Sequence, residues 1–345
     1  ISILDLQKEL IISQHDGNKK IHSPIPSAWN NEFWPQTGGY PSHIMQNLSL
    51  NTEPLEKIWS TNIGRGSARV PLTAQPIVAN GSVFTLDTES KLSAFNIQNG
   101  NRLWTTNIKD KREDETVIGG GIAYANGQLF VTSGYNEVLS VNPQDGSIQW
   151  RQSVKAPARA APTVLKDRIF VTLLNNSVIA LHTENGQILW EHDTISEGAG
   201  LLGAASPAVD MDIVVPALSS GDILALRIEN GALAWSDNLA RSTRLGGLIG
   251  LSDIRALPIL DQNMVIAISY GGKMAAIDKR TGNRLWQKNI SGVETPWVAG
   301  DIVYVLSSDY QLLAMNKFDG SVFWITELKK FDDVNKSKNA LRWTC

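Results

Sequence analysis

Few residues of this chain have the types and the spacing that catalysis or metal binding requires. The five histidines show no spacing typical of a metal site; they are His15, His22, His43, His182 and His192. His182 and His192 fall in segments with a strand pattern, where a strand residue is a better interpretation than a metal ligand. The one cysteine, Cys345, has no second cysteine with which to form an intramolecular disulfide.

Other candidate motifs are equally weak. The charged run Asp110–Glu115 mixes both signs, as a solvated loop does. The three glycines at 119–121 precede a strand pattern rather than a helix, and they lack the lysine of a phosphate-binding loop. No Gly-x-Ser-x-Gly sequence occurs in a nucleophile context. We therefore predict a protein that is not an enzyme, with no catalytic residue, no metal and no cofactor.

Composition excludes two further classes of function. The 345 residues carry a formal net charge of −3, with no basic patch interleaved with aromatic residues. A nucleic-acid partner is therefore not expected. No apolar stretch reaches the 18 or so residues of a membrane span, so none is predicted.

The dominant feature is an eleven-residue pattern that occurs six times. A small residue leads each copy, a glycine follows six positions later, and a tryptophan follows four positions after that. The tryptophans are Trp104, Trp150, Trp190, Trp235, Trp286 and Trp324, and a degenerate earlier copy survives at Trp59. Steps of 45, 46, 40, 45, 51 and 38 residues separate successive tryptophans from Trp59 onward. Repeats of this length are typical of stacked or radial architectures.

Each copy reads as a strand, a tight turn and a second strand. The turn contains Asn-Gly, Asp-Gly or Thr-Gly, the residues that accept positive φ. A period near 45 residues holds four short strands, which is one blade of a β-propeller. One indole ring per repeat fills the space between neighbouring sheets, so we predict a structural docking role for all six tryptophans. The predicted fold is an all-β propeller of four-stranded blades.

The ends of the chain differ from the repeats. Residues 1–54 are predicted to form an N-terminal extended arm, which Trp29 and Trp34 can fix to the propeller. Residues 55–345 are predicted to form the β-propeller itself, as six repeat units and the start of a seventh.

The repeat resembles the PQQ-type propeller motif AxDxxTGxxxW, which the copy Ala276–Trp286 (AIDKRTGNRLW) matches almost letter for letter. Two groups share this motif: quinoprotein alcohol dehydrogenases and the BamB family of outer-membrane assembly lipoproteins. The chain is similar to the BamB family over most of residues 30–325. Its segment Phe33–Asn47 is similar to the leading segment of α-proteobacterial members. The resemblance implies most of an eight-bladed ring, truncated at its C-terminus.

Two stretches between blades resemble the loops by which this family docks the POTRA region of the insertase BamA. They are Leu201–Val209 (LLGAASPAV) and Leu248–Leu260 (LIGLSDIRALPIL). The resemblance implies BamA binding through Leu201, Leu202, Asp253, Ile254 and Arg255. The sequence departs from the family's pattern at two of these positions. Leu202 replaces an arginine and Arg255 replaces an aspartate, so the same salt bridges cannot form.

The family resemblance implies a non-enzymatic scaffold lipoprotein of the β-barrel assembly machine at the periplasmic face of the outer membrane. It would assist the folding and insertion of outer-membrane proteins and could hold their unfolded chains. Contact with the membrane would depend on a lipid anchor, and these residues include no N-terminal cysteine to carry one.

Two alternatives remain open. A PQQ-dependent dehydrogenase would need a Ca²⁺ site and, in the family pattern, a disulfide between adjacent cysteines, which a single cysteine cannot form. A generic protein-interaction propeller would share the fold and differ in its partner and compartment.

Overall fold

The regular elements that the computed structural model describes are all β-strands. It describes residues 25–66, 72–109, 120–158, 160–194, 204–240 and 253–331, together with Leu341 and Trp343. Within these residues, no helix has the length and apolar character needed to cross a membrane.

Twenty-four strands form six four-stranded antiparallel sheets in the described part of the chain. In each sheet the strands are neighbours in chain order. Blade 1 contains β1 (Ile77–Ala79), β2 (Ser82–Leu86), β3 (Lys91–Asn96) and β4 (Arg102–Asn107); blade 2 contains β5 (Gly120–Ala125), β6 (Gln128–Ser133), β7 (Glu137–Val141) and β8 (Ile148–Ser153); blade 3 contains β9 (Thr163–Leu165), β10 (Arg168–Thr172), β11 (Val178–His182) and β12 (Ile188–His192). Blade 4 contains β13 (Ala208–Val209), β14 (Ile213–Val215), β15 (Asp222–Arg227) and β16 (Leu233–Asn238); blade 5 contains β17 (Ile259–Asp261), β18 (Met264–Ile268), β19 (Met274–Asp278) and β20 (Arg284–Lys288); blade 6 contains β21 (Trp297–Ala299), β22 (Ile302–Leu306), β23 (Gln311–Asn316) and β24 (Val322–Glu327).

These sheets confirm the predicted propeller of four-stranded blades. The described residues hold six blades, where the family resemblance implied most of an eight-bladed ring. Leu341, at the start of the expected seventh unit, lies outside any strand, although its backbone N–H donates to the Lys330 carbonyl at 2.9 Å.

The turn between the third and fourth strands has the same construction in every blade. In blade 5 the backbone N–H of Gly282 donates to the Asp278 carbonyl at 2.9 Å, and Gly282 has φ of 75°. The ladder that pairs the two strands shifts register by one residue just after the pair Ala276–Trp286. The shift is a β-bulge that follows from the extra turn residue. The repeated glycine is thus explained by a turn that requires left-handed backbone geometry.

The hydrophobic core lies between blades rather than within a single sheet. The described residues form five clusters of buried side chains, and each cluster joins two neighbouring blades, from the pair 1 and 2 to the pair 5 and 6. A twisted sheet of four strands cannot bury both of its faces alone, so each blade depends on its neighbours for stability.

The antiparallel order gives the propeller two distinct faces. One face carries the turns between the first and second strands and between the third and fourth strands; we call it the turn face. The other carries the turns between the second and third strands and the connections between blades; we call it the loop face. In blade 1 the turns at 80–81 and 97–101 belong to the turn face, and the turn at 87–90 belongs to the loop face.

The described part of the predicted arm folds back across the inner strands near the turn face. Residues 34–46 contact the first strand of each blade in chain order, from Val78 in blade 1 to Trp297 in blade 6. The segment then meets its own beginning, because the backbone N–H of Ser49 donates to the Trp29 carbonyl at 2.8 Å. We call residues 29–49 the arm loop.

Candidate functional site

The repeated tryptophans join each blade to the next. In five of the six copies the indole Nε1–H donates to a carbonyl just after the third strand of the following blade, at 2.7 to 3.0 Å: Trp104 to Pro143, Trp150 to Thr183, Trp190 to Ile228, Trp235 to Lys279 and Trp286 to Lys317. The indole of Trp59 makes the same contact with Ile97 of blade 1 at 2.9 Å. Trp324 is 36% exposed, and its blade is the last that the described residues form.

The two predicted docking loops are described only in part, over residues 204–209 of the first and 253–260 of the second. Leu201 and Leu202 belong to the residues that the structure does not describe. Ala205 belongs to the first loop and Ile254 to the second, whereas Leu239 directly follows β16, before the second loop. All three are buried in one cluster that joins blades 4 and 5. The described parts of the two loops therefore lie side by side on the loop face.

Of the three docking candidates that the structure describes, two are buried and one is exposed. Asp253 and Ile254 are buried, and Ile254 packs in the core between blades 4 and 5. The backbone of this segment is fixed, because the N–H of Tyr270 donates to the Asp253 carbonyl at 3.1 Å. Arg255 is exposed. Of the three, Arg255 is the side chain that can contact a partner directly, and Asp253 and Ile254 hold it in position.

Arg255 lies between two depressions of the loop face. One is a central cavity of about 110 Å³, which reaches Thr37 of the arm loop and is lined mainly by small side chains such as Ala161 and Ala204. The other is a groove of about 430 Å³, lined by Arg255, Glu294, Tyr310 and Trp343 among others. The guanidinium group of Arg255 would therefore contact a partner that binds the loop face.

The arm loop closes the opposite end of the central cavity and contains a buried histidine. The imidazole Nδ1 of His43 lies 2.7 Å from the Pro258 carbonyl and donates to it, while Nε2 has no partner. Burial lowers the pKa of His43 from 6.5 to about 4, against an opposing effect of the hydrogen bond to Pro258. His43 is therefore neutral in the folded protein at pH 7.

We expect acid to weaken the packing of the arm loop through His43. The folded protein binds fewer protons at this site than the unfolded chain, so stability is complete above pH 6.5 and falls as the pH drops towards 4. Between neutral pH and pH 4.5 the loss is about 2 kcal/mol. The measurement is the free energy of unfolding of wild type and His43→Asn at both pH values. Asparagine keeps a donor for Pro258 and does not titrate, so the variant should lose less stability; an equal loss in both proteins would contradict the prediction.

Sequence analysis missed two features of this region. Gln36 is buried, and its amide makes two hydrogen bonds with the backbone of Val164 in blade 3, at 2.8 and 3.0 Å. Lys317 and Asp261 form a buried ion pair at 2.7 Å between blades 5 and 6. The Pro-Gln-Thr-Gly-Gly sequence at 35–39 indicated an irregular segment, but it did not indicate which strands that segment contacts. Nothing near Lys317 in the sequence indicated its partner.

The chain is similar to known proteins over most of its length. A family model described as outer membrane protein assembly factor BamB matches residues 109–326. The BamB of Salmonella typhimurium is 26% identical over 306 residues, which are 88% of this chain and 73% of that protein. The BamB of Escherichia coli K12 is 25% identical over the same lengths. An uncharacterized protein of Rickettsia conorii is 31% identical over 280 residues, covering 79% of this chain and 66% of that protein.

Solved structures show the same fold. The crystal structure of BamB from Moraxella catarrhalis superposes with a TM-score of 0.65 at 21% identity, covering 74% of this chain and 76% of that one. A europium-containing methanol dehydrogenase superposes with a TM-score of 0.64 at 13% identity, covering 86% of this chain and 78% of the enzyme. At these identities the superpositions show the propeller fold alone.

Proposed function

The chain belongs to the outer membrane protein assembly factor BamB family, and from this premise we propose that it is a non-enzymatic scaffold of the β-barrel assembly machine. It acts at the periplasmic face of the outer membrane, binds the POTRA region of BamA, and assists the folding and insertion of outer-membrane proteins. The observation that carries the proposal is that the described parts of the two docking loops pack in one core between blades 4 and 5, on the loop face.

The surface chemistry of the loop face favours protein docking. The strands of blades 4 and 5 hold the described part of both loops, so this part offers a partner a fixed surface. Arg255 stands where the family pattern has an aspartate, and it is exposed. Its complement on BamA is therefore an acidic residue. Leu201 and Leu202 supply the apolar centre of the interface in this proposal.

The dehydrogenase alternative has weaker support. The central cavity of about 110 Å³ is smaller than the roughly 300–1,000 Å³ that small-molecule sites usually enclose. The structural likeness to methanol dehydrogenase is a likeness of fold, at 13% identity. The named relatives at 25 and 26% identity are assembly factors.

We expect Leu201→Asp and Leu202→Asp each to weaken binding to the soluble POTRA region of BamA from the same source. A charge at the apolar centre of an interface costs about 2 kcal/mol or more, which is roughly thirtyfold in Kd. Titration calorimetry measures the change, and an unaltered thermal unfolding profile shows that the propeller remains folded. An unchanged Kd for both variants would remove these loops as the docking site.

Arg255→Glu tests separately whether Arg255 faces an acidic residue of BamA. We expect it to slow association and to weaken binding by about tenfold, because two carboxylates would then face each other. Arg280→Glu is the matched control, since Arg280 is exposed on the turn face of the same blade. Replacing the acidic residue opposite Arg255 on BamA by arginine should restore binding to Arg255→Glu. Equal effects of the two Arg→Glu variants would show that the loop face is not the docking surface.

A further inference from the structure

The turn between the second and third strands contains one residue with positive φ in every blade. The six residues have φ between 61° and 98°: Ser90, Asn136, Asn176, Gly221, Gly272 and Tyr310. In blades 1, 3, 4, 5 and 6 the backbone N–H of this residue donates to the carbonyl three residues before it, at 3.0 to 3.3 Å. The turn therefore requires left-handed backbone geometry at this position, whichever residue occupies it.

Tyr310 of blade 6 is the exception among these residues. Glycine and asparagine, which four of the other blades carry, enter the left-handed region at little cost. A bulky side chain is an outlier in that region, and Tyr310 has φ of 64°. Strained residues of this kind cluster where a protein binds a ligand or a partner. Since the same turn forms with glycine in blades 4 and 5, the fold does not require the tyrosine.

The ring of Tyr310 contributes little to the core. The residue is half-buried, and it does not belong to the cluster of buried side chains that the described residues form between blades 5 and 6. The ammonium Nζ of Lys330 lies 5.7 Å from the centroid of the ring. A cation–π contact with an exposed lysine stabilises a protein only weakly. The packing of the ring therefore does not explain why a tyrosine is present at a strained position.

The ring of Tyr310 lines the groove of about 430 Å³ on the loop face, which we call the loop-face groove. Trp343 lines the same groove; it is 43% exposed, and its Nε1–H donates to the Lys329 carbonyl at 2.9 Å. Leu306 and Leu341 add aliphatic side chains to the lining. Because two aromatic and two aliphatic side chains line one open groove, it can bury an apolar side chain of a partner.

Arg255 joins this groove to the second docking loop. It lies in that loop and lines the groove as well. Arginine, tyrosine and tryptophan are the residues most enriched among interface hot spots, and one of each lines the loop-face groove. The proposed docking surface therefore continues from blade 5 to blade 6.

We propose that the loop-face groove binds an apolar side chain of BamA next to the acidic residue that Arg255 faces, and that Tyr310 recognises this side chain. The identity of the partner rests on the proposed function, whereas the groove and the strained tyrosine are properties of this chain. The charges favour such a segment. Arg255 and Lys330 are two cations at the groove, and Glu294 is the one carboxylate among its described lining residues. An apolar residue beside an acidic one is therefore favoured over an apolar residue beside a basic one.

Tyr310→Asn tests the groove without disturbing the turn. Asparagine has this position in blades 2 and 3, so the variant should unfold at the same temperature as wild type or at a higher one. We expect its Kd for the soluble POTRA region of BamA to rise about tenfold, because an aromatic anchor of the interface is lost. Titration calorimetry measures Kd, and thermal unfolding measures stability. An unchanged Kd would overturn the proposal, and a lower unfolding temperature beside it would show that the ring serves the fold instead.

Tyr135→Asn is the matched control. Tyr135 is half-buried in the equivalent turn of blade 2, and Lys109 Nζ lies 5.5 Å from the centroid of its ring. It does not line the groove, so Kd should not change. A second pair tests the other aromatic residue. Trp343→Ala should weaken binding about tenfold, whereas Trp324→Ala removes a tryptophan of similar exposure outside the groove and should leave Kd unchanged. Equal effects within either pair would overturn the proposal.

Failure of the groove can be told apart from failure of the docking function. If Arg255→Glu weakens binding and Tyr310→Asn does not, the groove is not part of the interface and the docking function stands. If the wild-type chain does not bind the POTRA region, both proposals fail. Self-association that Tyr310→Asn abolishes, measured by sedimentation velocity, would overturn the proposal by giving the groove a second copy of this chain as its occupant.

Discussion

Trp286→Ala is expected to lower the free energy of unfolding by about 3–5 kcal/mol, the range for deletion of a large aromatic side chain from a core. The ring is 8% exposed and belongs to the cluster that joins blades 5 and 6. Its Nε1–H donates to the Lys317 carbonyl at 2.7 Å, and a Cβ placed on Gly320 would lie 2.8 Å from the ring. The ring therefore fills its site completely. Its loss leaves a cavity and an unpaired buried carbonyl.

Chemical denaturation at equilibrium measures this loss, and Trp324→Ala provides an internal control. Trp324 has the same position in its repeat, but it is 36% exposed and its blade is the last that the described residues form. We expect the control to cost about 1 kcal/mol or less, as for a substitution near the surface. Similar losses in the two variants would contradict the packing role assigned to the following blade's turn.

The architecture of this protein could be predicted from its sequence because the repeated unit is local. The residues from Ala276 to Trp286 contain the turn glycine, the strand partner of the tryptophan and the tryptophan itself. These interactions span eleven residues. The number of copies in the sequence equals the number of blades in the described part of the chain. Only the carbonyl that accepts the hydrogen bond from the indole N–H lies further away, in the next repeat.

The path of the arm could not be predicted, because its contacts are long-range and involve main-chain groups. Gln36 binds Val164, 128 residues away, and no side-chain pattern near either residue indicates the other. The second docking loop shows another limit of prediction from sequence. Asp253 and Arg255 are two residues apart and both charged, yet one is buried and the other exposed. The packing of blades 4 and 5 decides that difference, and it depends on the whole fold.

The ion pair between Lys317 and Asp261 supports the second prediction of large effect. The two side chains are 4% and 3% exposed, and Lys317 Nζ lies 2.7 Å from the Asp261 carboxylate. Lys317→Met should destabilise the protein by about 3–5 kcal/mol, because it leaves a buried carboxylate without its counter-charge. Lys279→Met is the matched control. Lys279 has the equivalent position in blade 5 and pairs with Asp210 at 2.8 Å, but these side chains are 17% and 24% exposed. Water solvates this pair in part, so its loss should cost about 1 kcal/mol or less.

The double variant Lys317→Met with Asp261→Leu separates the cost of an unpaired charge from the value of the pair. Replacing both partners by apolar residues of similar volume removes the buried charge, so most of the lost stability should return. A double variant as unstable as Lys317→Met would instead show that the pair itself holds blades 5 and 6 together.

Trp286 donates to the carbonyl of the same Lys317, so the two sites share one junction. The effects of Trp286→Ala and Lys317→Met should therefore not be additive, and a double-mutant cycle should give a coupling of about 0.5 kcal/mol or more.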